Sequence, residues 1–277
     1  MSNEAIKLHM DTTRNDVHRW GRLNRVTFDA EKEHILVIHP VQGEGDDIKH
    51  LGCMIDVQLT MVSAIDHIVN IARPKIKAML RTRGTYNACD MIQQYKTHVW
   101  SLTEYHSGAI FHASATALAK LDRLQASFLE ELHMTEEMAF LEHNFAPSEL
   151  RRDIGILGFL HKRVLEKCHI GLVQMLPANH SEGRWHDKQL QSFIPQCTHR
   201  HALFQRSLFG MIEVYNRLPQ WLVDKDTVQK FQTTLTQMAK KCCARNGEWK
   251  GDFHGGARLW QTLALASQLL WTLARDG

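Results

Sequence analysis

The hydrophobic pattern changes character once, near residue 60. Before it, short apolar runs alternate with polar turns. Residues 3–23 have the composition of a helix, with Ser2 or Asn3 as N-cap and Glu4 in the first turn. The β-prone runs Val26–Phe28, His34–His39 and Leu51–Val57 follow, the last two separated by the Gly-rich stretch Gln42-Gly43-Glu44-Gly45-Asp46-Asp47. They predict a small antiparallel sheet of about three strands.

Beyond residue 60 the apolar positions recur every three or four residues, the period of a helix. Ile65, Ile68, Val69, Ala72, Ile76, Met79 and Leu80 form one such face, with Pro74 inside it as a kink or restart. Met91, Ile92, Tyr95, Val99, Leu102 and Tyr105 form a second, and Ala117, Leu121, Leu124, Phe128 and Leu132 a third. A fourth begins after Pro147-Ser148 and runs through Leu150, Ile154, Leu157, His161 and Val164. Residues 177–200 are polar and irregular, as an exposed loop would be. Helices are predicted again at about 203–216, 226–243 and 257–274, the last after the Gly-rich piece 247–256. The expected fold is mainly α with a small antiparallel sheet near the N-terminus, an α+β chain ending in a helical bundle. Its expected parts are 1–60, 61–135, 136–245 and 246–277.

Composition adds little until it is mapped onto position. The 277 residues carry 33 Lys and Arg against 30 Asp and Glu, a net charge of +3, with 44% apolar residues. That excludes a disordered tail or a collagen-like repeat. The charge is segregated, however. Residues 67–89 hold Arg73, Lys75, Lys77, Arg81 and Arg83 and no acid, whereas 118–150 hold seven acids against two bases. Arg73, Lys77 and Arg81 stand four apart, one line of a helix beside the apolar line Ala72, Ile76 and Leu80. Such a stripe can face a phosphate backbone.

Other candidate chemistry is thinner. Six scattered cysteines make no disulfide framework. Neither a secretory leader nor an apolar span long enough for a membrane is present, so a soluble protein of the cytosol or nucleus is expected. Asp46-Asp47 lies among turn residues and not between the apolar strands a catalytic metal pair requires. Cys197, His199 and His201 lack the paired-cysteine spacing of a zinc finger. Trp100 lies off the second apolar face, suited to stacking on bases or to burial against another helix.

The order of several short elements resembles the rear part of non-LTR (LINE-like, jockey-type) retrotransposon reverse transcriptases. Trp20 precedes Phe28-Asp29-Ala30-Glu31-Lys32, similar to the family's motif D. Leu51-Gly52-Cys53-Met54-Ile55-Asp56 resembles motif E, the primer grip. Tyr95-Lys96, Glu104-Tyr105 and Leu121-Asp122-Arg123-Leu124-Gln125 resemble the thumb. Asn144-Phe145-Ala146-Pro147 with Arg151-Arg152-Asp153-Ile154, and Tyr215-Asn216-Arg217-Leu218-Pro219, resemble the segments beyond it.

The resemblance implies Lys32 as the motif D lysine that assists proton transfer to pyrophosphate, and Leu51 and Gly52 at the primer grip. It also implies an RNA–DNA or DNA template–primer as partner. The family's catalytic aspartates, which bind Mg²⁺, correspond to a palm segment upstream of Trp20. This chain by itself is therefore expected to be inactive, to hold no cofactor, and to need the missing palm and fingers. The alternative is a helical scaffold or interaction module derived from such an element, or a degenerate copy without function.

Overall fold

The computed structural model describes residues 3–38, 43–179, 186–192 and 201–245. The predicted helix at 257–274, together with Cys197 and His199, lies outside the described residues. The chain divides into two compact units, 1–67 and 68–277.

In the first unit, helix α1 spans Asn3–Leu23. It ends in a Schellman cap: Arg25 takes a left-handed φ of 58°, Val26 N–H donates to the Gly21 carbonyl at 2.8 Å, and Arg25 N–H to Arg22 at 3.4 Å. This is why Val26–Phe28 is not the predicted strand. The Val26 N–H is used by the helix end, and Phe28 folds back so closely that a Cβ on Gly21 would collide with its ring. Phe28 also meets His18 edge-on at 5.4 Å, and His18 pairs with Glu33 at 2.8 Å.

Among the described residues, the predicted three-stranded sheet reduces to one hairpin. Strand β1 (Ile48–His50) pairs antiparallel with β2 (Cys53–Ile55), Lys49 opposite Met54. Among the described residues of the predicted strand at 34–39, only Val37 bridges, to Glu44. Leu51 and Gly52 form the two-residue tip, with φ of 48° and 85°. Two positive φ values give a turn whose twist suits a hairpin, a geometry that favours Asn-Gly. A leucine there is strained and also 75% exposed. Leu51→Asn is therefore expected to raise stability by about 0.5–1 kcal/mol, read as a higher urea midpoint; a lower midpoint would mean that Leu51 makes contacts that outweigh its backbone. Asp56, the last residue of the motif E-like element, organises the loop after β2. Its carboxylate accepts from Thr60 N–H (2.9 Å), the Thr60 hydroxyl (2.6 Å) and Met61 N–H (2.9 Å).

Helix α2 (Val62–Leu80) runs through Pro74 as one element. The proline removes the donor for the Asn70 carbonyl, and both residues are exposed, so water can replace that bond. The second helical stretch comprises α3 (Ala88–Tyr95), a π-helical segment Lys96–Trp100 and α4 (Ser101–Tyr105). Next come α5 (Ser107–Ile110), α6 (Ala115–Glu131, capped by Ser114), α7 (Glu136–His143, capped by Thr135) and α8 (Ser148–Val164). After these lie α9 (Ile170–Met175), α10 (His201–Arg206), α11 (Leu208–Tyr215), α12 (Gln220–Val223) and α13 (Val228–Arg245).

The helix predicted over 203–216 breaks at Ser207, whose hydroxyl caps α11 by accepting from Phe209 N–H at 3.2 Å. The core of this unit forms where α8 packs on α11 and α13, around Leu150, Leu157, Leu160, Tyr215, Phe231 and Leu235, each fully buried. The chain is mainly helical with one small antiparallel sheet near its N-terminus, as the periodicity predicts. Among the described residues, no helix is long and apolar enough to cross a membrane.

Candidate nucleic-acid interface

The basic stripe lies on the solvent face of α2 and its C-terminal end. Ala72, Ile76 and Met79 are buried, while Arg73, Lys75, Lys77 and Arg81 are all exposed. None of these four cations has an ion-pair partner among the described residues. Arg83 differs: it pairs with Glu131 of α6 at 3.4 Å and donates to the Leu80 carbonyl at 3.4 Å. Of the five cations in this stretch, four thus remain available to an outside anion. Arg73, Lys77 and Arg81 stand in one row about 6 Å apart along the axis.

The residues singled out by resemblance fall in the first unit. Lys32 ends a 3-10 turn (Ala30–Lys32), is 83% exposed at its side chain, and pairs with Asp29 at 3.0 Å. Leu51 and Gly52 form the hairpin tip described above. Asp46 and Asp47 are exposed beside Gly45, and among the described residues no three His, Cys, Asp or Glu side chains converge as metal ligands.

The motifs of the second unit do come together, in a buried framework. Phe145 sits among Trp100 (5.0 Å, stacked), Tyr95 (5.2 Å, edge-on) and Phe128 (6.3 Å). The Arg151 guanidinium lies 3.1 Å from the centre of the Trp100 ring and pairs with Glu104. Arg152 makes a double hydrogen bond to Asp122 at 2.8 and 3.0 Å. Lys96 donates to the His143 carbonyl at 2.6 Å, Gln125 to the Ala146 carbonyl at 3.0 Å, and Ser148 to Gln125 at 2.8 Å. Trp100 is thus committed to packing, and is not available to bases. Tyr105, expected on the apolar face, is instead 69% exposed.

Electrostatics in this framework follow burial. Burial pushes the Asp153 carboxyl up to about 7, with the Glu149 charge adding to it and Arg152 opposing it. Burial likewise raises Glu104, against the pull of Arg151. A second buried polar group surrounds Tyr215. His161 Nε2–H donates to the Lys225 carbonyl (2.8 Å), which leaves Nδ1 to accept from the Tyr215 hydroxyl (3.0 Å). The His186 ring donates to the Tyr215 carbonyl at 3.1 Å. Burial lowers the pKa of both imidazoles, so the neutral forms are the ones the fold accommodates.

Periodicity alone missed the exposed aromatic residue that follows the stripe in sequence, Tyr86, because it falls in the turn between two predicted helices. It also missed Arg151, whose partners are distant in sequence. Comparison with family models, curated proteins and solved structures finds no match to this chain.

Proposed function

We propose that this chain is the rear part of an RNA-directed DNA polymerase of the non-LTR retrotransposon type, and that it holds a template–primer duplex without performing the chemistry. The observation that carries this reading is the row of exposed cations with no acid partner among the described residues, Arg73, Lys77 and Arg81, set over a buried apolar underside. Long cationic side chains on a packed helix give a phosphate backbone fixed points of contact that do not depend on base sequence. The same row would be wasteful on a helix serving only a core, where intervening acids ordinarily neutralise it. The exposed, strained hairpin tip at Leu51-Gly52 fits the primer-grip role that the resemblance implies, since backbone strain concentrates at functional positions. Lys32 has a place in the same reading only when the missing palm supplies the reacting phosphates.

The test is the triple charge reversal of Arg73, Lys77 and Arg81 to Glu. Binding to an RNA–DNA hybrid is expected to weaken on the order of 100-fold near physiological salt, with the slope of log affinity against log salt reduced by about 2.7. Unchanged affinity and slope would remove α2 from any interface and leave the helical scaffold as the better description.

A further inference from the structure

We propose that Tyr86 is a stacking platform for an unpaired base of the nucleic-acid strand whose phosphates lie on Arg73, Lys77 and Arg81. The inference rests on the reading of α2 as a duplex-holding helix, and adds to it a single-stranded subsite at the helix end.

The turn that carries Tyr86 is built to hold it in place. Thr82 N–H donates to the Met79 carbonyl at 2.9 Å, and its hydroxyl donates to the same oxygen at 2.7 Å. The Thr82 carbonyl then accepts from both Thr85 N–H (2.9 Å) and Tyr86 N–H (3.2 Å), which folds residues 82–86 back onto the last turn of α2. On the far side, Asn87 caps α3 by accepting from Asp90 N–H at 2.9 Å. Arg83 is tied to Glu131 of α6. The backbone of Tyr86 is therefore fixed before any ligand arrives, and little ordering entropy is lost on stacking.

The ring itself is unused. Tyr86 is 47% exposed, and among the described residues its hydroxyl has no hydrogen-bond partner and its ring no aromatic or cationic neighbour. Two other exposed aromatics of the unit are engaged: Tyr105 packs edge-on against His106 at 4.8 Å, and Trp221 has Lys225 over its ring at 5.7 Å. Phe159, 40% exposed, shares the open ring of Tyr86 but lies on α8, away in sequence from the cation row. Gly84, two residues before it in the same turn, has open space around its Cβ position.

The spacing is compatible with one strand. Successive cations of the row rise by about 6 Å, on the scale of the separation between neighbouring phosphates of one strand. Such a row can meet successive phosphates, and the strand then runs off the helix at Arg81, five residues before Tyr86. An aromatic ring at the end of a cation row is the combination by which proteins hold single strands without reading sequence.

The experiment compares an RNA–DNA hybrid bearing a 5′ single-stranded template overhang with the same hybrid made blunt, against the wild-type chain, Tyr86→Ala, Tyr86→Phe and the charge-reversed triple variant. Wild type is expected to prefer the overhang roughly 5- to 150-fold. Tyr86→Ala should abolish that preference while binding blunt hybrid as before, and Tyr86→Phe should retain it. Equal preference in wild type and Tyr86→Ala, with the triple variant still defective on both substrates, would overturn the stacking proposal alone. If wild type binds neither substrate, both the subsite and the duplex-holding reading fall. A Tyr86→Phe variant that loses the preference would assign the residue a hydroxyl contact in place of stacking, and would also overturn it.

Discussion

Phe145→Ala is expected to lower the unfolding free energy of the second unit by about 3–5 kcal/mol. The side chain is fully buried and contacts three other aromatic rings, Tyr95, Trp100 and Phe128. Its truncation removes the transfer free energy of a benzyl group and leaves a cavity that three rigid rings cannot close. The local backbone offers no slack. Asn144, at a left-handed φ of 53°, ends α7, and Phe145 N–H donates back to the Ala139 carbonyl at 2.9 Å. The loss would be read from urea unfolding, with Tyr105→Ala, at an exposed ring, as a control that should change stability by less than about 0.5 kcal/mol. A Phe145→Ala loss below about 1 kcal/mol would mean that these rings are not packed as described.

The second large effect is electrostatic and depends on pH. Arg152 is 8% exposed and faces Asp122, with the carboxyls of Asp153 and Glu149 close by. Arg152→Ala removes the buried cation of that group and leaves carboxylates to repel one another, a change of about 3–5 kcal/mol at neutral pH. Asp153 fixes the sign of the pH dependence. Its folded pKa of about 7 lies above the ordinary aspartate value of 3.8. A raised carboxyl contributes stability that is present at low pH and lost as pH rises toward 7. Removing Arg152 raises that pKa further, so the penalty of the substitution should be largest above pH 7 and shrink as pH falls toward 4. The measurement is urea unfolding of both proteins at pH 8 and pH 5, with Arg152→Ala/Asp153→Asn expected to recover part of the loss at pH 8. A penalty equal at the two pH values would show that Arg152 acts through packing of its stem alone.

These two sites mark the boundary of what the sequence makes legible. The long helices could be read from periodicity, since Ile68, Ala72 and Ile76, or Leu150, Ile154 and Leu157, repeat at the spacing of a buried face. The basic row was legible for the same reason: a helix prediction places Arg73, Lys77 and Arg81 in line without tertiary information. The three-stranded sheet was not, because the fate of Val26 was decided by a helix cap with arginine where glycine is the usual signal. Strand β1 was hidden too, since Ile48-Lys49-His50 carries one apolar residue and pairs only through its turn. Helix α7 has a weakly amphipathic, acid-rich sequence, and its caps, Thr135 and Asn144, hold it as much as its apolar face does. The framework around Arg151 and Arg152 depends on pairs some 30 to 47 residues apart, which no local pattern encodes. The turn bearing Tyr86 reads from sequence only as a gap between helices.

The π-helical segment Lys96–Trp100 has a consequence for chain length. A π turn accommodates one residue more than an α turn, and one residue of an α-helix corresponds to about 100° of rotation. The extra residue therefore resets the phase of everything after Trp100. It brings Glu104 round to Arg151 and sends Tyr105 into solvent. Deleting one residue between 96 and 100 would restore a regular helix while swinging Glu104 away from its partner. The pairing is thus written in the number of residues as much as in their identities, and an insertion or deletion can undo it without altering either member of the pair.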